Sequence, residues 1–334
     1  MGQGGILMVT IRDVAIRAGV SASTASRALR NSSLISPETR KKVQLVAKKI
    51  NYVPNFNAHN LATNANNSVG IVFPVNKDDL YQNPFYTELI EGINQELFPK
   101  HLFMTLALGG TVKELKQTIK IMIENSKIEQ FILLYSIKND PILKYLQQRK
   151  ARYAVIGKPY TNANSVPYVD NDNVNAGLDA TEYLISKGHR QLGYAFTNRY
   201  QLVQTDRMLG FHEAIRRNDS YGYILELSIE RFDAAIEEYL NRYPEISAIL
   251  ASDDILAFQI QKAVQRIVPE RQIELMGFND SLFAKFAEPK ISTVQIYPKR
   301  LGKAAAKLII QQLEQDSDEP VEKTIVPYKI IEQN

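Results

Sequence analysis

Thr10-Ile11-Arg12-Asp13-Val14-Ala15-Ile16-Arg17-Ala18-Gly19-Val20-Ser21-Ala22-Ser23-Thr24-Ala25-Ser26-Arg27-Ala28-Leu29 is the stretch from which the fold can be read. A hydroxyl at Thr10 with the carboxylate of Asp13 three residues on is a capping box in its acidic form. Ile11, Val14, Ala15 and Ala18 then recur at helical spacing. Gly19 offers the left-handed residue that ends a helix, and Val20 plugs the turn. Ser21 caps a second helix with a narrow apolar edge at Ala25 and Leu29. Its other face is small and hydroxylated, apart from Arg27. Helix, glycine-containing turn and helix form the helix-turn-helix pattern. Ala22, Ser23, Thr24 and Ser26 put nothing bulky between this helix and a major groove, and Arg27 reaches a guanine edge or a phosphate. Ser36-Pro37-Glu38 opens a third helix with a cap, a proline at the first helical position and an acid in the first turn. That helix is expected to bury Val43, Val46, Ala47 and Ile50.

Charge supports the same reading. The 334 residues carry a formal net charge of +4. Residues 1–67 hold nine basic and two acidic side chains, while the remainder holds 31 basic and 34 acidic. A basic head on a slightly acidic body points to a polyanion as the head's partner.

Several further segments join the first stretch in a resemblance. Thr10 to Ala15, Ala18 to Ser21, Ser23 to Leu29 and Tyr52-Val53-Pro54-Asn55 resemble the DNA-binding headpiece of the LacI/GalR family of bacterial transcription regulators. The resemblance implies that Ala22, Ser23 and Arg27 face bases, with Thr10, Ser21, Thr24 and Ser26 on the same DNA-binding surface. Alanine at 25 and 28, where valine is commoner in the family, costs packing volume. Asn55 to Ala62 resembles the family's hinge helix, which is too short to be stable alone in water. In the family it orders on operator DNA, and the resemblance puts Asn55 and Ala58 there and makes Leu61 a minor-groove wedge. The expected organisation is a lead-in over 1–8, a headpiece over 9–54, a hinge and linker over 55–68, and a core over 69–334.

From Val69 onward apolar β-type runs alternate with helical segments. Strands are expected at Val69–Pro74, Phe103–Leu108, Gln130–Leu134, Tyr153–Gly157, Leu192–Phe196, Gly222–Leu227, Ala248–Ala251 and Glu274–Gly277, with helices between them. Such alternation makes an α/β fold with parallel sheets, and two series make two lobes with a cleft beyond the carboxyl ends of the strands. This part resembles the two-lobed core shared by LacI/GalR regulators and periplasmic binding proteins. The resemblance implies three crossings between lobes. It places lobe 1 at about 69–165 and 295–322, and lobe 2 at about 166–294 and 323–334.

Order and spacing of Asn83-Pro84-Phe85-Tyr86, Asp170-Asn171-Asp172, Asp206-Arg207, Ser252-Asp253-Asp254 and Gly277-Phe278-Asn279-Asp280 match the family. Arg207 is the foremost ligand candidate, because a guanidinium fork bonds two vicinal hydroxyls and stays charged. Phe85, Tyr86 and Phe232 match cleft-lining positions, where aromatic faces suit a sugar ring. Asn279 stands where many members carry aspartate. Asp253 reads equally as ligand contact or helix cap, and Tyr135 and Lys158 complete the candidates, with cap or surface roles equally open to them. Leu133 to Ser136, Ile156 to Tyr160 and Val169 to Asn173 resemble the branch that controls maltose operons in Gram-positive bacteria. That resemblance implies maltose or a short maltodextrin as effector, and a cytoplasmic homodimer on a pseudo-palindromic operator.

The composition also excludes chemistry. The chain has no cysteine, so disulfides and thiolate sites are absent. Its four histidines, His59, His101, His189 and His212, are scattered, and His212-Glu213 lacks the second histidine of a zinc helix. No P-loop and no Gly-x-Ser-x-Gly elbow occurs. The expectation is a non-enzyme without metal or cofactor, with His189 packing at a helix end. No membrane span and no secretory signal are read. The alternatives are a transport-type binding protein without a DNA role, and a catabolite regulator using a phosphoprotein corepressor.

Overall fold

The computed structural model describes residues 9–29, 31–52, 67–75, 83–160, 165–314 and 323–333. The chain forms two compact units, Met1–Ala65 and Asn66–Asn334. In the first, α1 spans Ile11–Ala18, α2 Ala22–Leu29 and α3 Pro37–Lys49. Asp13 accepts from the Thr10 backbone N–H at 2.8 Å and from its hydroxyl at 2.7 Å. The Thr10 N–H bond holds the Asp13 carboxyl below its usual range. At the other end Gly19 takes φ +67°, and Val20 N–H returns to Ala15 O at 3.0 Å, which closes the helix as predicted. Ser21 Oγ accepts from Thr24 N–H at 3.1 Å and so caps α2, and Ser36 does the same for α3. Val14, Ala15, Ala18, Ala25, Ala28, Val43 and Ala47 form the buried centre of this unit. Val46 and Ile50, expected in the core, pack half-buried at its edge.

The described residues of the second unit form twelve strands in two six-stranded sheets. The first sheet contains β1 (Ser68–Val72), β2 (Phe103–Ala107), β3 (Gln130–Leu133), β4 (Arg152–Ile156), β5 (Tyr168–Asn171) and β11 (Lys323–Val326). Its spatial order is β11-β5-β4-β3-β1-β2, and every pairing is parallel. The second contains β6 (Gln191–Phe196), β7 (Tyr221–Glu226), β8 (Ala248–Ala251), β9 (Glu274–Phe278), β10 (Ser292–Gln295) and β12 (Lys329–Ile331). Its order, β12-β10-β9-β8-β6-β7, repeats the first, with β12 alone running antiparallel. Helices α4 (Pro84–Leu97), α5 (Val112–Glu124), α6 (Pro141–Gln148) and α12 (Pro298–Glu314) cover the first sheet. Helices α7 (Asn173–Ser186), α8 (Leu202–Arg217), α9 (Phe232–Arg242) and α10 (Asp254–Ile267) cover the second, with the short α11 (Leu282–Phe286) beside α10. Among the described residues no helix is long and apolar enough to cross a membrane.

The lobe boundaries expected from sequence need correction. β5 and β11 both lie in the first sheet, so the first lobe keeps residues 168–171 and 323–326, which had been assigned to the second. β10 lies in the second sheet, and the return to the first lobe falls between Gln295 and Pro298. β5 and β10 were missed because they end in polar residues. Their burial is compensated by hydrogen bonds rather than by apolar side chains.

In each lobe one pair of helices touches backbone to backbone. In the first, a Cβ on Gly92 would run into Lys299 O, and one on Gly302 into Leu89 O. In the second, Gly177 meets Arg207 O and Gly210 meets Val174 O in the same way. Small residues at these four points bring α4 against α12 and α7 against α8. Neither backbone can yield without moving its whole helix. Gly210→Ala is therefore expected to destabilise the second lobe by about 1–3 kcal/mol, read as a lower urea midpoint with an unchanged slope.

Candidate functional site

Two surfaces carry the residues that the sequence singled out. The first is on α2. Ser21, Ala22, Ser23 and Arg27 are exposed, Thr24 and Ser26 half-buried, and Ala25 and Ala28 turn inward. The Ser21 hydroxyl is hydrogen-bonded to those of Ser23 at 2.9 Å and Thr24 at 2.8 Å. Small groups and one long cation thus share the outer face, which is what a groove-reading helix needs. Thr10 is exposed, and its hydroxyl is engaged in the α1 cap. Asn55, Ala58 and Leu61 lie outside the described residues.

The second surface is the cleft between the two sheets of the core, about 830 Å³ of space that is partly open to solvent. It lies beyond the carboxyl ends of strands. Tyr135 and Ser136 follow β3, Gly157 and Lys158 follow β4, Ser252 and Asp253 follow β8, and Asn279 follows β9. Phe85 and Tyr86 enter from the first turn of α4, their rings edge to face with centroids 5.4 Å apart. The structure thus brings together Phe85, Tyr86, Tyr135, Lys158, Arg207, Asp253 and Asn279. Phe232 is the exception. It packs half-buried on the apolar cluster of α9 and α10 and does not line the cleft. Its place at the first position of α9 turns the ring onto that helix pair's own core. At the mouth of the cleft an antiparallel bridge joins Ile137 of the first lobe to Gln201 of the second.

Arg207 is not the free fork that sequence implied. It is 3% exposed. Nε donates to Asn173 Oδ1 at 3.0 Å and Nη1 to Ser252 O at 2.6 Å, while the guanidinium lies 4.0 Å from the centroid of the Phe278 ring. Burial lowers its pKa, and the nearby Asp253, Asp170 and Asp254 oppose that shift. Removing a buried cation that carboxylates surround costs about 3–5 kcal/mol. Arg207→Ala is therefore a folding lesion before anything else.

Sequence reasoning missed the acids and amides around it. Asp170 accepts from Asn173 Nδ2 at 2.9 Å and from Lys158 N–H at 3.1 Å, and burial pushes its pKa up to about 6. Asp254 accepts from Thr293 Oγ1 at 2.6 Å and Ser281 N–H at 2.7 Å, and burial pushes it to about 7. Asp253 caps α10, accepting from Leu256 N–H at 2.9 Å, so the cap role read from sequence is present in a cleft-lining residue. Asn279 has φ +114° and Asp280 φ +53°, so the loop after β9 holds two non-glycine residues in strained conformations. The signal for Asp170 and Asn173 was the Asp170-to-Asn173 polar run itself, whose burial no periodicity reveals.

Outside the cleft, His189 has both ring nitrogens engaged, Nδ1 with Ser247 Oγ at 2.8 Å and Nε2 with Glu274 Oε2 at 2.9 Å. Lys187 shares Glu274 at 2.5 Å. None of these residues lines the cleft. They tie the end of α7 to β8 and β9.

Comparison with known proteins agrees with this geometry. The family model described as bacterial regulatory proteins, lacI family, matches residues 10–55, and the chain is 31% identical to the HTH-type transcriptional regulator MalR of Streptococcus pneumoniae over 97% of its own length and 99% of that protein's. The chain belongs to the lacI family. A periplasmic binding protein-like domain matches residues 181–334 of this lacI-family chain. The MalR of Staphylococcus xylosus is 36% identical, with 91% of each chain covered. Among solved structures, the transcriptional regulator CelR in complex with cellobiose superposes with a TM-score of 0.73 at 25% identity, covering 97% of this chain and 99% of that one.

The buried acids predict how this lacI-family core responds to pH. Both Asp170 and Asp254 have folded-state values above the ~3.9 of an unfolded aspartate. Their contribution is fully present below the ~3.9 of the unfolded acids and is lost progressively from there until pH has risen through about 6 and about 7. The thermal midpoint is expected to fall between pH 5 and pH 8. Asp254→Asn, which keeps the shape, should flatten most of that fall in a calorimetric scan series.

Proposed function

We propose that the protein is an operator-binding transcriptional repressor whose DNA affinity is set by a small neutral sugar in the interlobe cleft, maltose or a short maltodextrin being the favoured effector. The observation that carries the sugar reading is the charge state of the cleft. The Arg207 cation already faces Asp170, Asp253 and Asp254, so little positive charge is left over for a phosphate or carboxylate. The one further cation of the described wall, Lys158, faces the Asp206 carboxylate, and the rest is largely amides, hydroxyls and aromatic faces, among them Asn83, Asn279, Ser136, Tyr135, Phe85 and Tyr86. Such a surface suits a polyhydroxyl ring with apolar C–H faces. Two MalR relatives and a cellobiose-bound structure favour a di- or oligosaccharide.

The DNA side rests on α2 and on the basic charge of the head. A homodimer places two such helices on the halves of a pseudo-palindrome about one turn apart. Apolar side chains support self-association: Phe103 and Leu106 on the edge strand β2, Tyr221 and Ile224 on the edge strand β7, and Leu282 and Phe286 on α11 are all exposed. Sugar binding changes the lobe arrangement and shifts operator affinity by a coupling of about 1–3 kcal/mol. No residue is assigned a catalytic role, and we read the cleft as a sensor without turnover, metal or cofactor.

A second reading, regulation by a phosphoprotein corepressor, draws on one feature. Lys100, Arg300, Lys303 and Lys307 line a shallow groove along α12. Loss of corepressor-dependent repression in a Lys303→Glu, Lys307→Glu double variant, with the sugar response intact, would favour it.

Calorimetric titration of the full chain with maltose and maltotriose, without and with an operator duplex, tests the main reading. Sugar affinity is expected to be several-fold weaker with DNA present, because coupling is reciprocal. Tighter binding with DNA would make the sugar a corepressor, and no heat from any neutral sugar would remove the sugar reading. On the DNA side, Arg27→Ala is expected to weaken operator binding by about 1–3 kcal/mol if Arg27 reads a base. If it contacts a phosphate, the salt slope should drop by about one. Retardation assays at rising salt separate the two, and wild-type affinity and slope in the variant would remove Arg27 from the interface.

A further inference from the structure

The chain passes between the lobes at three places: from β5 to α7 at Asn171–Asn173, from β10 to α12 at Gln295–Pro298, and from β11 to β12 at Val326–Lys329. At each, backbone groups have left one sheet and not yet joined the next element, so their carbonyls need partners from elsewhere. One side chain serves all three. Asn171 sits on the first crossover at 4% exposure, and its Nδ2 donates to Ile296 O at 3.1 Å and to Val326 O at 2.9 Å. A carboxamide carries two N–H donors on one nitrogen, and here each is committed to a different crossover. A serine has one donor and an aspartate none, so neither replaces it. The second crossover is also bent. Tyr297, next to Ile296, has φ +54°, with its N–H held by Gln295 Oε1 at 3.2 Å. Non-glycine residues persist in that conformation only where the surroundings hold them.

We infer that Asn171 is the pin of the interlobe hinge. Its amide ties the crossover it sits on to two others, 125 and 155 residues away, and makes one unit of the three. The lobes then turn about a single axis, and a rotation of one is delivered whole to the other. Asn171 is in this sense a positioning residue: it sets how far closure on a ligand reaches the first lobe. The part played by a sugar rests on the reading under Proposed function, whereas the pin is a property of the chain without ligand.

Hydrogen–deuterium exchange on the full-length protein, without ligand, tests the pin in Asn171→Ala and in the volume-conserving Asn171→Leu. Exchange is expected to rise about ten-fold in peptides covering 295–299 and 326–331, with peptides from the strand centres of both sheets unchanged. Unchanged exchange at the two remote crossovers, or acceleration confined to the neighbourhood of residue 171, overturns the inference. So does uniform acceleration through both sheets, which would mark a general stability role. In a second measurement, made at a maltose concentration shown by direct titration to saturate each variant, the ratio of operator affinities without and with maltose should shrink at least three-fold in either variant. An unchanged ratio would overturn the hinge role. If maltose fails to bind the wild type, the sugar reading falls, and the exchange data judge the pin on their own.

Discussion

A guanidinium held inside the second lobe sets much of the detail around it. Taking Arg207 out of water carries a desolvation penalty of several kcal/mol unless its donors and its charge are matched. The match comes from Asn173 on the neighbouring helix, the Ser252 carbonyl at the end of β8, the face of Phe278 and the surrounding carboxylates. For Asn173 and Arg207 to meet, α7 and α8 must lie at backbone contact, and Gly177 and Gly210 allow it. The first lobe has the same close helix pair at Gly92 and Gly302, and there Leu89, Ile93, Leu301 and Ala305 pack as ordinary core. The close helix pair therefore belongs to the architecture. The buried cation is what the second lobe adds to it.

The acids are the counterpart of that cation. A cleft with an uncompensated arginine would attract anions. Here Asp170 arrives from the first sheet and Asp253 and Asp254 from the second, so the charge is balanced from both lobes. Asp254 is in turn packed against the backbone at 277, where any side chain would strike its carboxylate. The strained Asn279-Asp280 turn follows directly, and Asp254 accepts from Ser281 N–H just beyond it. One buried acid thus anchors the loop that presents Asn279 to the cleft.

The sequence made the apolar parts of this fold legible and the polar crossovers illegible. Val69 to Phe73 and Ala248 to Ala251 are continuous apolar runs, and the strands appear there. The capping hydroxyls at Thr10, Ser21 and Ser36 and the turn at Gly19 marked the helices of the head to within a residue. β5 and β10 carry no such mark. Asp170, Asn171, Ser292 and Thr293 look like loop residues, yet all four are buried, because each has a hydrogen-bond partner from another segment: Lys158 for Asp170, Ile296 and Val326 for Asn171, Gln333 for Ser292 and Asp254 for Thr293. Phe232 failed in the opposite sense: an aromatic residue at a family cleft position was turned into the core by its own helix. Phe85, Tyr86, Tyr135, Lys158, Arg207, Asp253 and Asn279 do line the cleft, and only the packing showed that Arg207 has commitments of its own.

The same polar segments also join the cleft wall to the crossovers between the lobes. Lys158, Asp170 and Asn171 line the cleft from the ends of β4 and β5, and Asn279 and Ile296 line it from the ends of β9 and β10. Asn171 and Ile296 are at the same time crossover residues joined to each other by a hydrogen bond. Ligand contacts and hinge contacts therefore share strand ends, with no intervening layer that could absorb a displacement. A packed interior does not deform continuously. On the proposed sensing role, a shift at one of these ends is expected to pass into rotation of the sheet rather than into local give, because the same buried strand ends carry both cleft and crossover contacts.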